Sequence, residues 1–472
     1  MRSANIIGSG PNGLTAAVTL ALAGVQVSVF ERNVQPGGAA ATGELTLPGF
    51  LHDIGSSVFP LGIASPAFRA LQLEECGLEW LQPGVPMAHP LDDGSSITLE
   101  SEVESTISQF SAHDARNYRL LLGPTIRAWE DLVDDFTRGL LRVPKHPVAM
   151  GVFGIPALLP AQVLARLLFR DERARALFAG CAAHSVIPFP KASSSAVALV
   201  MLAAGHTTGW PIARGGAVSI SHALVNRLTE LGGKLYTGVE VTSLTGLPHS
   251  DITLFDTSAE SMASISGDAL SLAFRQRITH FRPGPGIFKI DYALREPIPW
   301  RDLACLQAAT VHLGGTLAEI ARSEHDAFYG RHNERPFVLV TQPSLIDSTR
   351  APLGRHTAWA YCHVPYGSER DMSASIETQI ERFAPGFRDV VLDRCAWNTR
   401  ALGRWNLNLA KGDISGGAMT LKGMVARPTI RGHRTSNARI YLASASTPPG
   451  GGVHGMCGYL AASAAMADHR PH

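Results

Sequence analysis

The chain is 472 residues long, enough for about three domains of roughly 150 residues or for two large interleaved ones. Apolar residues make up 45%, which excludes a disordered chain, and the charged fraction of 17% lies below the ~25% usual for soluble domains, so a large core or a greasy ligand is expected. Lys and Arg total 41 against 40 Asp and Glu with no basic block, which excludes a nucleic-acid partner that depends on clustered cations.

Only six of the basic residues are lysine, a bias that, with the many Ala and Gly, reads as a GC-rich bacterial genome. Cys76, Cys181, Cys305, Cys362, Cys395 and Cys457 include no C-x-x-C pair, so neither a redox dithiol nor a zinc knuckle is expected, and no metal site is assigned. Scattered single cysteines suit a reducing compartment. The N-terminal apolar run is broken by Gly8 too soon for a signal peptide, and no uncharged run reaches the ~20 residues of a spanning helix. The expected location is the cytoplasm.

Residues 4–7 form an apolar run ending at glycine, as a buried parallel strand does. Residues 14–23 carry helical spacing, with Gly24 where a helix end takes a left-handed residue. Val25, Val27, Val29 and Phe30 give a second strand, completing a βαβ unit. From about 114 to 189 the pattern is helical and interrupted by prolines, and 148–169 is almost wholly apolar. The α/β rhythm returns as a helix at 219–231 and a strand at 234–241. Short strands dominate from 286 to 366 (287–294, 309–314, 337–342, 357–364). A strand at 439–444, a Pro/Gly turn and an Ala-rich helix at 455–468 close the chain. This order predicts one dinucleotide-binding domain in three pieces (1–95, 214–284 and 431–472) and a second domain built from 96–213 and 285–430.

Gly8-Ser9-Gly10-Pro11-Asn12-Gly13 is a G-x-G-x-x-G turn between that first strand and helix. Gly8 permits the tight turn, Gly10 the approach of a pyrophosphate, and Gly13 close helix–strand packing, while the helix N-terminus offers unpaired N–H groups to phosphates. Pro11 in the first helical turn costs little. Glu31, 18 residues beyond Gly13, is placed to accept both ribose hydroxyls. NAD and FAD share this turn. Arg32 followed by Gly37-Gly38-Ala39 puts bare backbone beside a second stretch of cofactor, which favours FAD.

With His52-Asp53-Ile54-Gly55-Ser56, these residues resemble the N-terminal signature of flavoproteins of the glutathione-reductase-type fold. The chain is most similar to the phytoene-desaturase-like family. The resemblance continues through Gly209-Trp210-Pro211, Asp291-Tyr292-Ala293-Leu294 and Trp359-Ala360-Tyr361-Cys362-His363, and ends in Thr447-Pro448-Pro449-Gly450-Gly451-Gly452-Val453-His454-Gly455. It implies an α/β fold: a discontinuous FAD-binding Rossmann-like domain with an inserted α+β substrate domain of mixed sheet and helices. It also implies that the strand at 238–241 meets adenine through Val241. Ser444 and Gly451-Gly452-Val453 would then pass the flavin.

The function implied is FAD-dependent dehydrogenation of a C–C or C–N bond of a mostly apolar small molecule, by hydride transfer to flavin. A redox-neutral isomerase or saturase, and a flavin-free escort protein of the same fold, are the alternatives. His454, His363, His206 and Tyr361 are the candidate proton carriers. Lys289 is named because related amine oxidases place a lysine near flavin, with an ion pair to Asp291 or another carboxylate as its structural reading. The 148–169 stretch suits a substrate-tunnel wall, a membrane-surface patch, or a core or homodimer-contact helix.

Overall fold

A computed structural model describes residues 1–470; the last two residues of the terminal segment lie outside it. Two sheets organise the chain. In chain order the elements that position the site are β1 (Ser3–Ile7), α1 (Pro11–Leu22), β2 (Gln26–Phe30), β3 (Val85–Pro90), β4 (Ser96–Leu99), α2 (Pro147–Ala157), α3 (Ala161–Leu168), α4 (Glu172–Ala183), α5 (Ser194–Gly205) and α6 (Val218–Glu230). They continue with β5 (Lys234–Tyr236), β6 (Ile252–Phe255), β7 (Gly286–Leu294), β8 (Ala308–Leu313), β9 (Val338–Thr341), β10 (His356–Val364), β11 (Val391–Trp397), β12 (Ile440–Leu442) and α7 (Met456–Asp468).

The first sheet is parallel, in the order β12-β6-β1-β2-β5. Its central strands β1 and β6 are short, mostly apolar runs buried on both faces, as a sheet covered by helices requires, while the edge strand β5 is largely exposed. Ala4 pairs with Ile252, and Thr253 with Ile440, so three distant segments complete one layer. Helices α1, α6 and α7 cover it through Leu14, Val18, Ile220, Leu224 and Ala461, all buried. Gly24 ends α1 with φ +80°.

The second sheet is mixed, β11-β7-β10-β9-β8-β3-β4, and a helical layer including α4 and α5 packs on it. The strand β3, counted with the first segment on sequence grounds, pairs with β8 in this sheet. The chain is thus α/β with a Rossmann-like parallel sheet and a mixed-sheet partner, as expected.

Two local expectations are corrected. The strand expected over 234–241 ends at Tyr236, because Gly238 takes φ +69° and turns the chain; Val239 still donates to Glu31 O at 2.8 Å. The apolar 148–169 stretch is two helices, α2 and α3, meeting at 90° where Pro160 begins the second. Among the described residues no single helix is long and apolar enough to cross a membrane.

Candidate functional site

A cavity of about 770 Å³ runs from the C-terminal ends of β1 and β2 to the face of the second sheet. Gly8, Gly10, Pro11, Asn12, Glu31, Arg32, Gly38 and Ala39 line one end, with Val241 from the turn after β5. Ser444, Gly451, Gly452 and Val453 reach the same cavity from the other end of the chain. Gly13 and Gly37 stand behind the wall and shape it.

The backbone there is unusually free of partners. Among the described residues, the N–H groups of Asn12, Gly38 and Ala39, and those of Gly451, Gly452 and Val453, meet no protein acceptor. Asn12 is buried, Gly38, Ala39, Gly451 and Val453 are half-buried and Gly452 is exposed, so six unpaired donors on one open cavity form a cradle for an electron-rich ligand. Asn12 Oδ1 is likewise buried without a partner. The two N-terminal loops touch backbone to backbone: a Cβ on Gly38, where φ is +54°, would lie 2.9 Å from Gly10 Cα. These features fit the dinucleotide that the glycine turn implies.

Two buried carboxylates hold this end. Glu31 Oε2 accepts from Ser9 N at 2.9 Å and Ser9 Oγ at 2.7 Å, and Oε1 accepts from Asn33 N at 2.8 Å. One acceptor position on Oε1 stays open, so Glu31 can take one ribose hydroxyl where two were expected unless Ser9 turns away. Asp256, directly after β6, accepts the Gly13 N–H at 2.8 Å beneath the start of α1. Burial, reinforced by Glu31, pushes its carboxyl up from 3.8 to about 7.

The C-terminal loops are tied by Asp413 and Arg427. Asp413 accepts from Gly284 N at 2.8 Å, Ser415 N at 2.8 Å and Gly417 N at 2.9 Å. The buried Arg427 guanidinium donates to Ala445 O at 2.9 Å, to Gly417 O at 3.2 Å and to Ser415 O.

The structure divides the candidate proton carriers. Tyr361 lines the cavity, stacked on Trp359 at 5.5 Å. His454 also lines it, but its Nδ1 accepts the Met456 N–H at 3.1 Å and burial lowers its pKa to about 4, so it is a neutral staple at the start of α7. His363 is a correction: it lies beyond the cavity on the same face of β10 as Tyr361 and pairs through Nδ1 with Glu324 at 2.8 Å. His206 is another, lying outside the wall with Nε2 2.7 Å from Tyr118 Oη. His363 shares the Trp359–Tyr361 face of β10 but lies past the end of the cavity, and His206 caps α5 outside the wall, positions that spacing alone could not reveal. Lys289 borders the cavity, yet its Nζ is spent on both Asp291 oxygens at 2.7 Å and Asp53 O at 2.8 Å.

Sequence reading missed Asp256, Arg427 and His184. Asp256 could have been found from an acid closing a third apolar run, Ile252–Phe255. His184 is a cavity residue after α4, with Nε2 3.0 Å from His312 Nε2. Burial lowers its pKa to about 3.

Residues 6–72 match the model of an NAD(P)-binding Rossmann-like domain. The chain is 25% identical to rat (Rattus norvegicus) pyridine nucleotide-disulfide oxidoreductase domain-containing protein 2, over 98% of this chain and 93% of the relative. It is 30% identical to hydroxyneurosporene desaturase of Cereibacter sphaeroides, over 51% of this chain and 50% of that one. Phytoene desaturases and prolycopene isomerases are among its further relatives. Its fold is that of an oxidoreductase from Methanosarcina mazei, with a TM-score of 0.69 and 18% identity across 98% of this chain and all (100%) of that one. Relatives that align along the full length of the chain, and others that carry desaturase names, agree with the motifs at both of its ends: the chain is similar to the phytoene-desaturase-like FAD-dependent oxidoreductases.

Proposed function

We propose that the cavity holds FAD and that the protein dehydrogenates a C–C bond of an uncharged, mostly apolar small molecule. Support for the cofactor comes from one observation above all: unpartnered amides from residues 12, 38 and 39 and from 451–453 share one wall. Bound FAD supplies the two-electron acceptor. The chain's own part is to hold the phosphates on Asn12 and Gly38 amides, the adenosine ribose on Glu31, and the ring edge on the 451–453 amides. It also excludes water with an apolar wall from α2, α5 and the second sheet.

That wall favours C–C over C–N chemistry. Its carboxylates are Glu31, Glu240, Asp256 and Asp413, at the nucleotide end or spent on main-chain N–H groups. An amine cation would find no counter-charge beside the substrate, and burying it unpaired is costly. Prolycopene isomerases among the relatives keep a redox-neutral isomerase as the second reading.

The first test is optical. Purified protein should be yellow, or gain a visible flavin band on addition of FAD, and release FAD on denaturation. Protein that stays colourless with FAD added overturns the proposal and points to a flavin-free escort. An anaerobic assay with photoreduced protein separates the two enzymes, since a dehydrogenase then loses turnover and an isomerase gains it.

We also propose peripheral contact with a membrane, at its cytoplasmic face, as the source of the substrate. On α2 and α3, Val148, Ile155 and Leu167 are 79%, 74% and 71% exposed, while Met150, Phe153 and Ala157 of α2 line the cavity. One helix therefore presents apolar side chains to solvent and to the site together. All six cysteines are unpaired, as suits a reducing compartment.

A further inference from the structure

The substrate half of the cavity is walled by Met150, Phe153, Val197, Val200, Leu339 and Trp359. Lys289, the one cation there, has its three donors occupied by Asp291 and Asp53. Against this apolar lining stands the His184 imidazole. It sits at the end of α4, edge-on to Trp210 at 5.8 Å, and is fixed from behind by His312 of β8.

The pair has a defined proton arrangement. His312 is fully buried, and its ring rests on Gly180, one turn before His184; a Cβ there would come within 2.6 Å of His312 Nδ1. Two nitrogens 3.0 Å apart share one hydrogen. His312 Nδ1 has no partner. A hydrogen on it would be a buried orphan donor, the costlier defect, whereas an orphan lone pair is tolerated more often. The hydrogen therefore lies on His312 Nε2 and is donated to His184 Nε2. That leaves the His184 hydrogen on Nδ1, which meets no protein acceptor among the described residues and belongs to a ring that lines the cavity. Burial keeps both rings neutral.

We propose that His184 Nδ1–H, oriented by His312, is a substrate-binding donor of the cavity, and that the substrate is an apolar molecule bearing an uncharged acceptor oxygen of the carbonyl class. A plain hydrocarbon would leave this donor unpaired and desolvated, which a site built around it disfavours. The inference rests on the reading of the cavity as a flavin and substrate site. His184 is the group that touches substrate, and His312 is a positioning residue that sets its tautomer.

Carvone and limonene share a carbon skeleton and differ in one ketone oxygen, so they are suitable probes. Each is titrated into the FAD-loaded protein and read by the shift of the flavin band. Wild type should bind carvone about five- to tenfold tighter than limonene, the value of one neutral hydrogen bond. His184→Phe should bring the two within about twofold while keeping limonene affinity, and His184→Gln, whose amide still donates, should restore part of the preference. His312→Asn should weaken carvone binding alone. Equal binding of both probes by wild type, or a preference that survives in His184→Phe, overturns the inference. Should FAD fail to load, the functional proposal falls separately; intrinsic tryptophan fluorescence, to which Trp210 and Trp359 of the cavity wall contribute, then reads the same carvone-to-limonene contrast in the full chain. If His184→Phe does not fold, His184→Gln and His312→Asn carry the test.

Discussion

Asp256 stands beneath the first glycine turn and accepts the Gly13 N–H at 2.8 Å, so a carboxylate occupies the base of the anion-binding helix start. Burial and the neighbouring Glu31 raise its pKa to about 7, far above the 3.8 of a free carboxyl. The folded protein therefore binds a proton that the unfolded chain has released between those values. Stability from this group is full below pH ~4 and declines as pH rises toward 7. The ionised form also repels a pyrophosphate. FAD affinity should fall above pH ~7, by up to about tenfold per pH unit, and Asp256→Asn should flatten both profiles. Fluorescence titration of FAD and thermal melts across pH measure the two slopes.

Gly38 meets Gly10 at main-chain distance, and its φ of +54° already disfavours a side chain. Gly38→Ala should cost roughly 1–2 kcal/mol of stability and separate the two loops. FAD content should fall far more than the melting temperature. Absorbance of the purified variant, beside its melt, gives both readings.

The Lys289–Asp291 pair is buried on both sides. Lys289→Met removes the cation that holds Asp291 ionised, and because burial already pushes that carboxyl up to about 6 it then takes up a proton; losing the buried pair should cost about 3–5 kcal/mol, and Lys289→Met with Asp291→Leu should recover most of that loss. Denaturant unfolding of the two variants tests it. A single variant that melts like wild type would mean that the lysine serves the chemistry instead of the fold.

Serine at Val148, Ile155 and Leu167 together should lower partition onto phospholipid vesicles by roughly tenfold or more, because each removes an exposed apolar side chain. FAD content should not change. If the triple variant alters only oligomeric state by light scattering, the face is a contact between copies of the chain.

Much of this architecture is legible before any coordinates are consulted, and particular residues show why. The strands at 4–7 and 287–294 announce themselves through short, mostly apolar runs interrupted only by Asn5 and by Lys289 and Asp291, and the glycine turns at both chain ends mark one shared wall. Strand β6 escapes notice because Ile252–Phe255 is four residues long and has no flanking helix of strong period. His363 and Tyr361 lie two apart on β10, yet Tyr361 reaches the cavity and His363 turns to Glu324 on its covering helix. Partners hundreds of residues away make that choice. Arg427 and His184 act through such distant neighbours, and sequence spacing carries no trace of them.

The pairing of Ala4 with Ile252, and of Thr253 with Ile440, has a consequence for biosynthesis. The opening βαβ unit leaves the ribosome early but lacks its lateral neighbours until most of the polypeptide has been translated. Contacts of such long separation form slowly and leave an apolar edge open to aggregation meanwhile. Removal of residues 440–470 would take away β12, α7 and half of the nucleotide cradle at once.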